Sequence, residues 1–313
     1  FEGTMTTIEG SQFQTIHGKE HAHQDGIWSV VWTTNNKIIS GSVDETVKVW
    51  DTALNSDQGK SFEGHRLGVV SVAVNTEGTW CACSSIDSVI RFWDLETGET
   101  SASIDEGALE AWSLALSPHD KFLATGAQRG AVNIWDAEAK KKMASLTHGS
   151  RGSFVMSVAF SPLVDQLQVA GSSKDGSIAV YDVQAETLDH RFSDNDAHSM
   201  PVRSVAYSPD GRLLYSASDD MRIHLYDVRC KSLVCSLSGH ASWALSVAPS
   251  PNGYGLASGS SDNQVKIWDM RSRECLHCFA DHKDQVWSVA YSPDGASLAA
   301  GVDDGSLHVH QVA

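Results

Sequence analysis

Apolar and polar positions along the chain alternate with a period of two, or fuse into short apolar runs, in segments such as SVAYSP, LASGS and VKIWD. Turns of the Ser-Pro-Asp-Gly type break these segments at short intervals. A period of two predicts extended strands, and no stretch carries the 3.6-residue period of an amphipathic helix. The segments also recur. SSDNQVKIWD (Ser260–Asp269) repeats the earlier GSVDETVKVWD (Gly41–Asp51), and aligning one serine per unit gives Ser29, Ser71, Ser113, Ser157, Ser204, Ser246 and Ser288. Each period holds three strands plus a fourth, as in CLHCFADH. A four-stranded antiparallel sheet that is apolar on both faces needs another sheet packed on each side, and sheets stacked around an axis meet that need.

Gly239-His240 followed by Trp268-Asp269, and Gly64-His65 followed by Trp93-Asp94, closely resemble the repeats of the WD-repeat β-propeller family. The fold implied is all-β: a seven-bladed propeller with four antiparallel strands per blade. Every repeat except the last has a fourth strand after its Trp-Asp position, whereas the last ends at LHVHQVA. SQFQTIHGKEHAH near the other end reads as the missing strand, so the N-terminal segment is expected to close the last blade and remove two sheet edges. Residues 1–10 are expected to be a cloning remnant (FEGT precedes Met5) and a flexible N-terminus, and 11–313 a single propeller.

The resemblance also implies hydrogen-bonded sets of His, Ser or Thr, Asp and Trp that satisfy buried polar groups and tie strands together. Matched by offset, the first blade has His23, Ser40, Asp44 and Trp50, and the sixth His240, Ser258, Asp262 and Trp268. The second has His65, Asp87 and Trp93 with Cys83 at the hydroxyl position, and the fifth has His198, Ser216 and Asp220 with Tyr226. The third (Gly107, Thr125, Arg129, Trp135), fourth (Arg151, Gly171, Asp175, Tyr181) and seventh (His282, Ala300, Asp304, His310) depart from the pattern and are expected to lean on apolar packing. Although His, Ser and Asp invite a catalytic-triad reading, recurrence around a ring marks them as scaffold.

Composition narrows the function. With 23 Lys plus Arg against 39 Asp plus Glu, the net charge of −16 disfavours direct nucleic-acid binding. The basic run Lys140–Lys142 is expected in a solvated turn. No apolar run is long enough to cross a bilayer and no secretory segment opens the chain, so a soluble intracellular protein is the default. The cysteines at 81, 83, 230, 235, 275 and 278 read as reduced, packed thiols; Cys275 and Cys278, at an odd offset on a strand, point to opposite faces and do not chelate one metal. HExxH, P-loop and Gly-x-Ser-x-Gly signatures are absent, so no catalytic, cofactor or metal residues are expected and the chain is read as non-enzymatic. Two His-x-His runs, His21/His23 and His308/His310, are the one place where a metal site could arise by accident, across the ring closure.

Function is expected at the rim where each blade's first strand begins. Residues one and three places before the aligned serine point the same way by strand alternation. They bring Trp28, Trp112, Phe154, Met156, Arg203, Trp243 and Trp287 to the channel rim as partner-binding residues, with Trp243 and Trp28 the most exposed. GHASWALSVA, EGHRLGVVSVAV, AHSMPVRSVAYSPDGRLL and DHKDQVWSVAYSPDG resemble the branch of the family found in the superkiller complex and the polymerase-associated factor complex. That resemblance implies a non-catalytic scaffold of nucleus and cytoplasm. Its partners would be the helical-repeat and helicase subunits that feed messenger RNA to the exosome, and the polymerase-associated factor subunits acting in transcription elongation. The same rim would equally suit a reader of modified histone tails or a substrate receptor of a ubiquitin ligase. By itself the ring is expected to be a monomer.

Overall fold

A computed structural model describes residues 13–54, 60–105, 111–147 and 153–312. The expectations for residues 1–10, Gly107 and Arg151 lie outside the described residues. Within them the chain forms seven four-stranded antiparallel sheets and no α-helix. Blade 1 takes Ile27–Trp32, Ile38–Ser42, Val47–Trp50 and Lys60–Phe62, and the next five blades repeat this order. Blade 7 is built differently. Val286–Tyr291, Ser297–Val302 and Leu307–Gln311 supply three strands, and Gln14–Lys19 supplies the fourth, pairing Thr15 with His310 and Lys19 with Leu307. The N-terminal segment therefore closes the ring as its sequence predicts.

Alternating strands that are apolar on both faces leave no single core. Seven clusters of buried side chains each straddle two neighbouring blades. Ile39, Val47 and Phe62 of the first blade meet Val69, Val72 and Cys81 of the second, and Ile27, Val30 and Trp32 meet Ala299, Leu307 and Val309 of the seventh. Each fully buried side chain of this size is worth about 1.5–3 kcal/mol, so a blade without one neighbour loses the burial of a whole face. Close approach limits the residues allowed at the contact. A Cβ on Gly41 would lie 2.7 Å from Cγ1 of Val69.

The outermost strands are the most polar, as in Gln14–Lys19, which is exposed along most of its length. The expected solvated lysine run is only partly so. Lys140 folds back with its Nζ 3.5 Å from the Phe92 ring centroid and 4.9 Å from that of Trp80, and burial pulls its pKa down.

Candidate functional site

In six blades the first strand carries a β-bulge at the same place, between Ile27 and Ser29 in blade 1 and at the matching positions of blades 2, 4, 5, 6 and 7. The extra residues are Trp28, Val70, Met156, Arg203, Leu245 and Trp287. In blade 3 Trp112 stands just before its strand, its N–H donating to the Gly126 carbonyl at 2.9 Å. A bulge breaks strict alternation and turns two consecutive side chains to one side. Both the extra residue and the following serine consequently line the central channel, around a cavity of about 340 Å³. The expectation from simple alternation reached the right residues for an incomplete reason.

Those serines do more than mark the repeat. Each Oγ accepts the backbone N–H of the next blade: Val72 to Ser29, Leu114 to Ser71, Val158 to Ser113, Val205 to Ser157, Val247 to Ser204, Val289 to Ser246, and Val30 to Ser288, at 3.0–3.3 Å. Seven bonds make a circuit with no gap, and the last of them spans the junction between blades 7 and 1. The sequence shows the serines at a near-regular spacing but not the backbone N–H groups that donate to them.

Above this circuit the rings of Trp287, Trp28, Trp112 and Phe154 touch in series, with centroids 5.5, 6.4 and 5.4 Å apart. Trp28 is hemmed in by its two neighbours and half-buried, so the expectation of marked exposure fails for it; it holds for Trp243, which is 44% exposed. Phe154 and Trp243 sit beyond the cavity wall, one against Trp112 and the other 5.6 Å from the Arg203 guanidinium. Met156 is buried in the wall. The Trp243 carbonyl accepts from Ser261 N–H and that of Phe154 from Lys174 N–H, which extends the sheet past the bulge and fixes both residues at the rim.

Two acidic residues at the rim escaped sequence reasoning. Asp219 receives Arg203 through two bonds of 2.8 Å, so that this guanidinium is held flat and largely neutralised. Asp303 faces the indole N–H groups of Trp28 and Trp287, neither of which forms a hydrogen bond of normal geometry. Burial raises the pKa of Asp303, and the carboxylates of Asp284 and Asp25 reinforce the shift against the two indoles. Both lie one place before the turn aspartate of their blade, in SASDD and GVDDG, an offset that a repeat-by-repeat comparison of the sequence exposes.

The expected His-Ser-Asp-Trp sets are present in blades 1 and 6. His23 meets Asp44 at 2.9 Å and Ser40 at 2.7 Å, and Trp50 donates to the same Ser40 oxygen at 2.8 Å. His240, Asp262, Ser258 and Trp268 repeat those bonds with distances of 2.9, 2.7 and 2.8 Å. Burial raises Asp262, but the His240 hydrogen bond and charge and the Ala241 N–H outweigh it and hold the carboxyl at about 2. Ser40 and Ser258 are fully buried and already accept an indole N–H, so no substrate carbonyl can reach them.

Blade 5 keeps His198 with Asp220 at 2.8 Å and Ser216 at 2.7 Å, while the Tyr226 hydroxyl donates to the Asp196 carbonyl and meets His224. Blade 2 keeps a long His65–Asp87 contact of 3.3 Å, bridged by Arg91. There Cys83 lies 3.8 Å from Cys81, and His65 Nε2 and Trp93 Nε1 have no partner. In blade 3 Trp135 still donates to Thr125 at 3.2 Å, and in blade 4 Asp175 turns to Ser177 and Arg191. Blade 7 departs from the expected apolar packing. His282 Nε2 meets His310 Nε2 directly at 3.1 Å, and burial pulls both imidazoles well below the ordinary histidine value. Of the His-x-His runs, His23 is committed to blade 1, and His310 meets His282 rather than the N-terminal pair.

Comparison with known proteins agrees with this architecture. The WD domain, G-beta repeat, matches residues 12–51, 231–269 and 273–311, and the N-terminal propeller domain of the Nucleolar protein 10-like family matches 74–244. The chain is 40% identical over 224 residues to WD repeat-containing protein SL1-17 of Schistosoma mansoni, covering 69% of this chain and 71% of that protein. It is 36% identical over 215 residues to WD repeat-containing protein VIP3 of Arabidopsis thaliana, covering 63% of this chain and 65% of that one, just under two thirds. Meiotic recombination protein rec14 of Schizosaccharomyces pombe is 29% identical over 221 residues, with 69% and 70% covered. Seven blades, their repeated turn aspartates and these likenesses together make the chain a member of the WD-repeat β-propeller family.

Proposed function

We infer that the protein is a non-catalytic scaffold that grips segments of other proteins at the channel mouth. The observation that carries this reading is the rim itself: a series of touching aromatic rings on one side and the Trp243–Arg203 pair on the other, around an open cavity. Trp and Arg at a pocket of this kind are the side chains on which binding energy concentrates. We assign the partners, from the sequence resemblance, to the helical-repeat and helicase subunits of the superkiller complex and to the polymerase-associated factor complex. A working place in both nucleus and cytoplasm follows from that assignment. An acidic molecule serves such a role without meeting RNA itself.

The test is affinity purification with mass spectrometry of the wild type beside Trp243→Ala and Trp287→Ala. Both variants are expected to keep the wild-type melting temperature and to lose helicase and elongation-factor subunits alike. Full retention of those subunits by correctly folded variants would remove the rim from the reading. A second reading, a reader of modified histone tails or a ubiquitin-ligase receptor, draws on the Trp28–Trp287–Asp303 side, where aromatic faces and a carboxylate suit a cationic side chain. Tight binding of isolated modified tail peptides, with no helicase subunits recovered, would favour it.

A further inference from the structure

Blade 7 is the blade the N-terminal strand closes, and its buried polar set is unlike that of blades 1 and 6. There a serine hydroxyl separates the histidine from the tryptophan, accepting the indole N–H and hydrogen-bonding the imidazole Nε2. In blade 7 Ala300 removes the hydroxyl and His310 replaces the indole, so two imidazole nitrogens face each other at 3.1 Å with nothing between them. Both rings are more than nine-tenths buried, His282 at 6% and His310 at 0% exposure. His282 Nδ1 makes no hydrogen bond of normal geometry, the Asp281 carboxylate standing 3.9 Å from it. One ligand atom from each of Asp281, His282 and His310 lies within 4.8 Å of the other two.

We propose that Asp281, His282 and His310 form a binding site for a zinc-class divalent transition ion at the seam where the ring closes. Bonds of about 2.0–2.1 Å to a tetrahedral zinc set two imidazole nitrogens roughly 3.3 Å apart, which is a few tenths of an ångström from the spacing seen here. Two histidines and a carboxylate, with the fourth position left to solvent, are a donor set that suits this ion. Asp281 is the adjustable member, since its side chain is 47% exposed and swings without disturbing the core. The outer contacts are already in place. Thr15 of the closing strand donates to Asp281 Oδ2 at 2.5 Å, and its oxygen lies 2.9 Å from His310 Nδ1. With His310 Nε2 on the metal, Nδ1 carries the proton and donates to Thr15, the arrangement that orients ligating histidines elsewhere. The ion would thus tie the loop before Val286–Tyr291, the strand Leu307–Gln311 and, through Thr15, the strand Gln14–Lys19.

The test uses the intact chain, stripped with chelator, then equilibrated with Zn2+ or Co2+ and freed of excess. One equivalent of zinc per chain is expected, with the strong visible absorption of four-coordinate cobalt and a melting temperature that rises with either metal. Asp281→Asn should weaken binding about tenfold or more while leaving the stripped protein as stable as the wild type. Ala300→Ser combined with His310→Trp rebuilds the set found in blades 1 and 6, and should fold, bind no zinc and melt independently of metal. A wild type that retains no stoichiometric zinc overturns the proposal. So does undiminished binding by Asp281→Asn, or by the folded Ala300→Ser/His310→Trp variant, since the metal would then sit elsewhere, for instance at exposed His21.

Discussion

At the scale of the residue, one oxygen decides whether a blade's buried donors are satisfied. Ser258 Oγ lies between His240 and Trp268, whereas the thiol of Cys83 leaves His65 Nε2 and Trp93 Nε1 unpaired. An unsatisfied buried donor costs about 1–3 kcal/mol, so Ser258→Ala should lower the unfolding free energy by that amount in urea titrations. Cys83→Ser should raise it by about 1 kcal/mol; a lowered midpoint would show that the thiol's packing outweighs the missing bonds. Acid acts at the same sites. Burial, then the Arg91 charge, pull His65 down from 6.5 to about 4, so the unfolded chain binds this proton first as pH falls. Its contribution is complete above pH 6.5 and is lost toward pH 4. Asp262, at about 2 against an ordinary 3.8, adds a second loss below pH 3.8. Melting temperature followed from pH 7 to 3 should fall in that order, with the upper part shallower in His65→Gln and the rest of it carried by the other buried imidazoles, His224, His282 and His310. In blades 1 and 6 these sets were legible through the family resemblance, with each member placed by its offset. Tyr226 did not, because its partner, the Asp196 carbonyl, is a backbone atom that no side-chain identity encodes.

At the scale of the element, strands were legible because a two-residue period and Ser-Pro-Asp-Gly turns survive in nearly every repeat. Bulges were not: an extra residue at Trp28 or Trp287 introduces no glycine or proline and leaves the apolar count of the strand unchanged. That is why the rim positions were found while the turning of each following serine to the same side, and the serine circuit beneath them, were not. The closing strand Gln14–Lys19 was read from what the last repeat lacks, and it is held by its ladder to Leu307–Gln311 plus the Thr15 contacts. Deleting residues 14–19 should bare the Leu307–Gln311 edge and lower the melting temperature by many degrees, with dimers appearing in light scattering as exposed edges pair. A deletion variant that melts like the full chain and stays monomeric would show the strand to be an ornament.

At the scale of the whole molecule, each apolar cluster belongs to two blades, so no blade owns the side chains that stabilise it. Unfolding should therefore be one cooperative event in spite of the repeat architecture. Circular dichroism and tryptophan fluorescence are expected to give superimposable urea curves, and Gly41→Val, which drives atoms into Val69, should move the single midpoint rather than create a shoulder. Separate transitions would mean that the blades act as independent units, as in an open solenoid.

The same geometry imposes an order of events during synthesis. Thr15 and the His310 it meets are separated by 295 positions, so the earliest part of the sheet to leave the ribosome is the last to find its partner. At about 5–20 residues per second this delay is roughly 15–60 s. Throughout it Gln-Thr-Ile-His-Gly-Lys must remain unattached, and its mostly polar, solvent-facing composition is what a segment needs to wait that long in a crowded cell without sticking to a stranger.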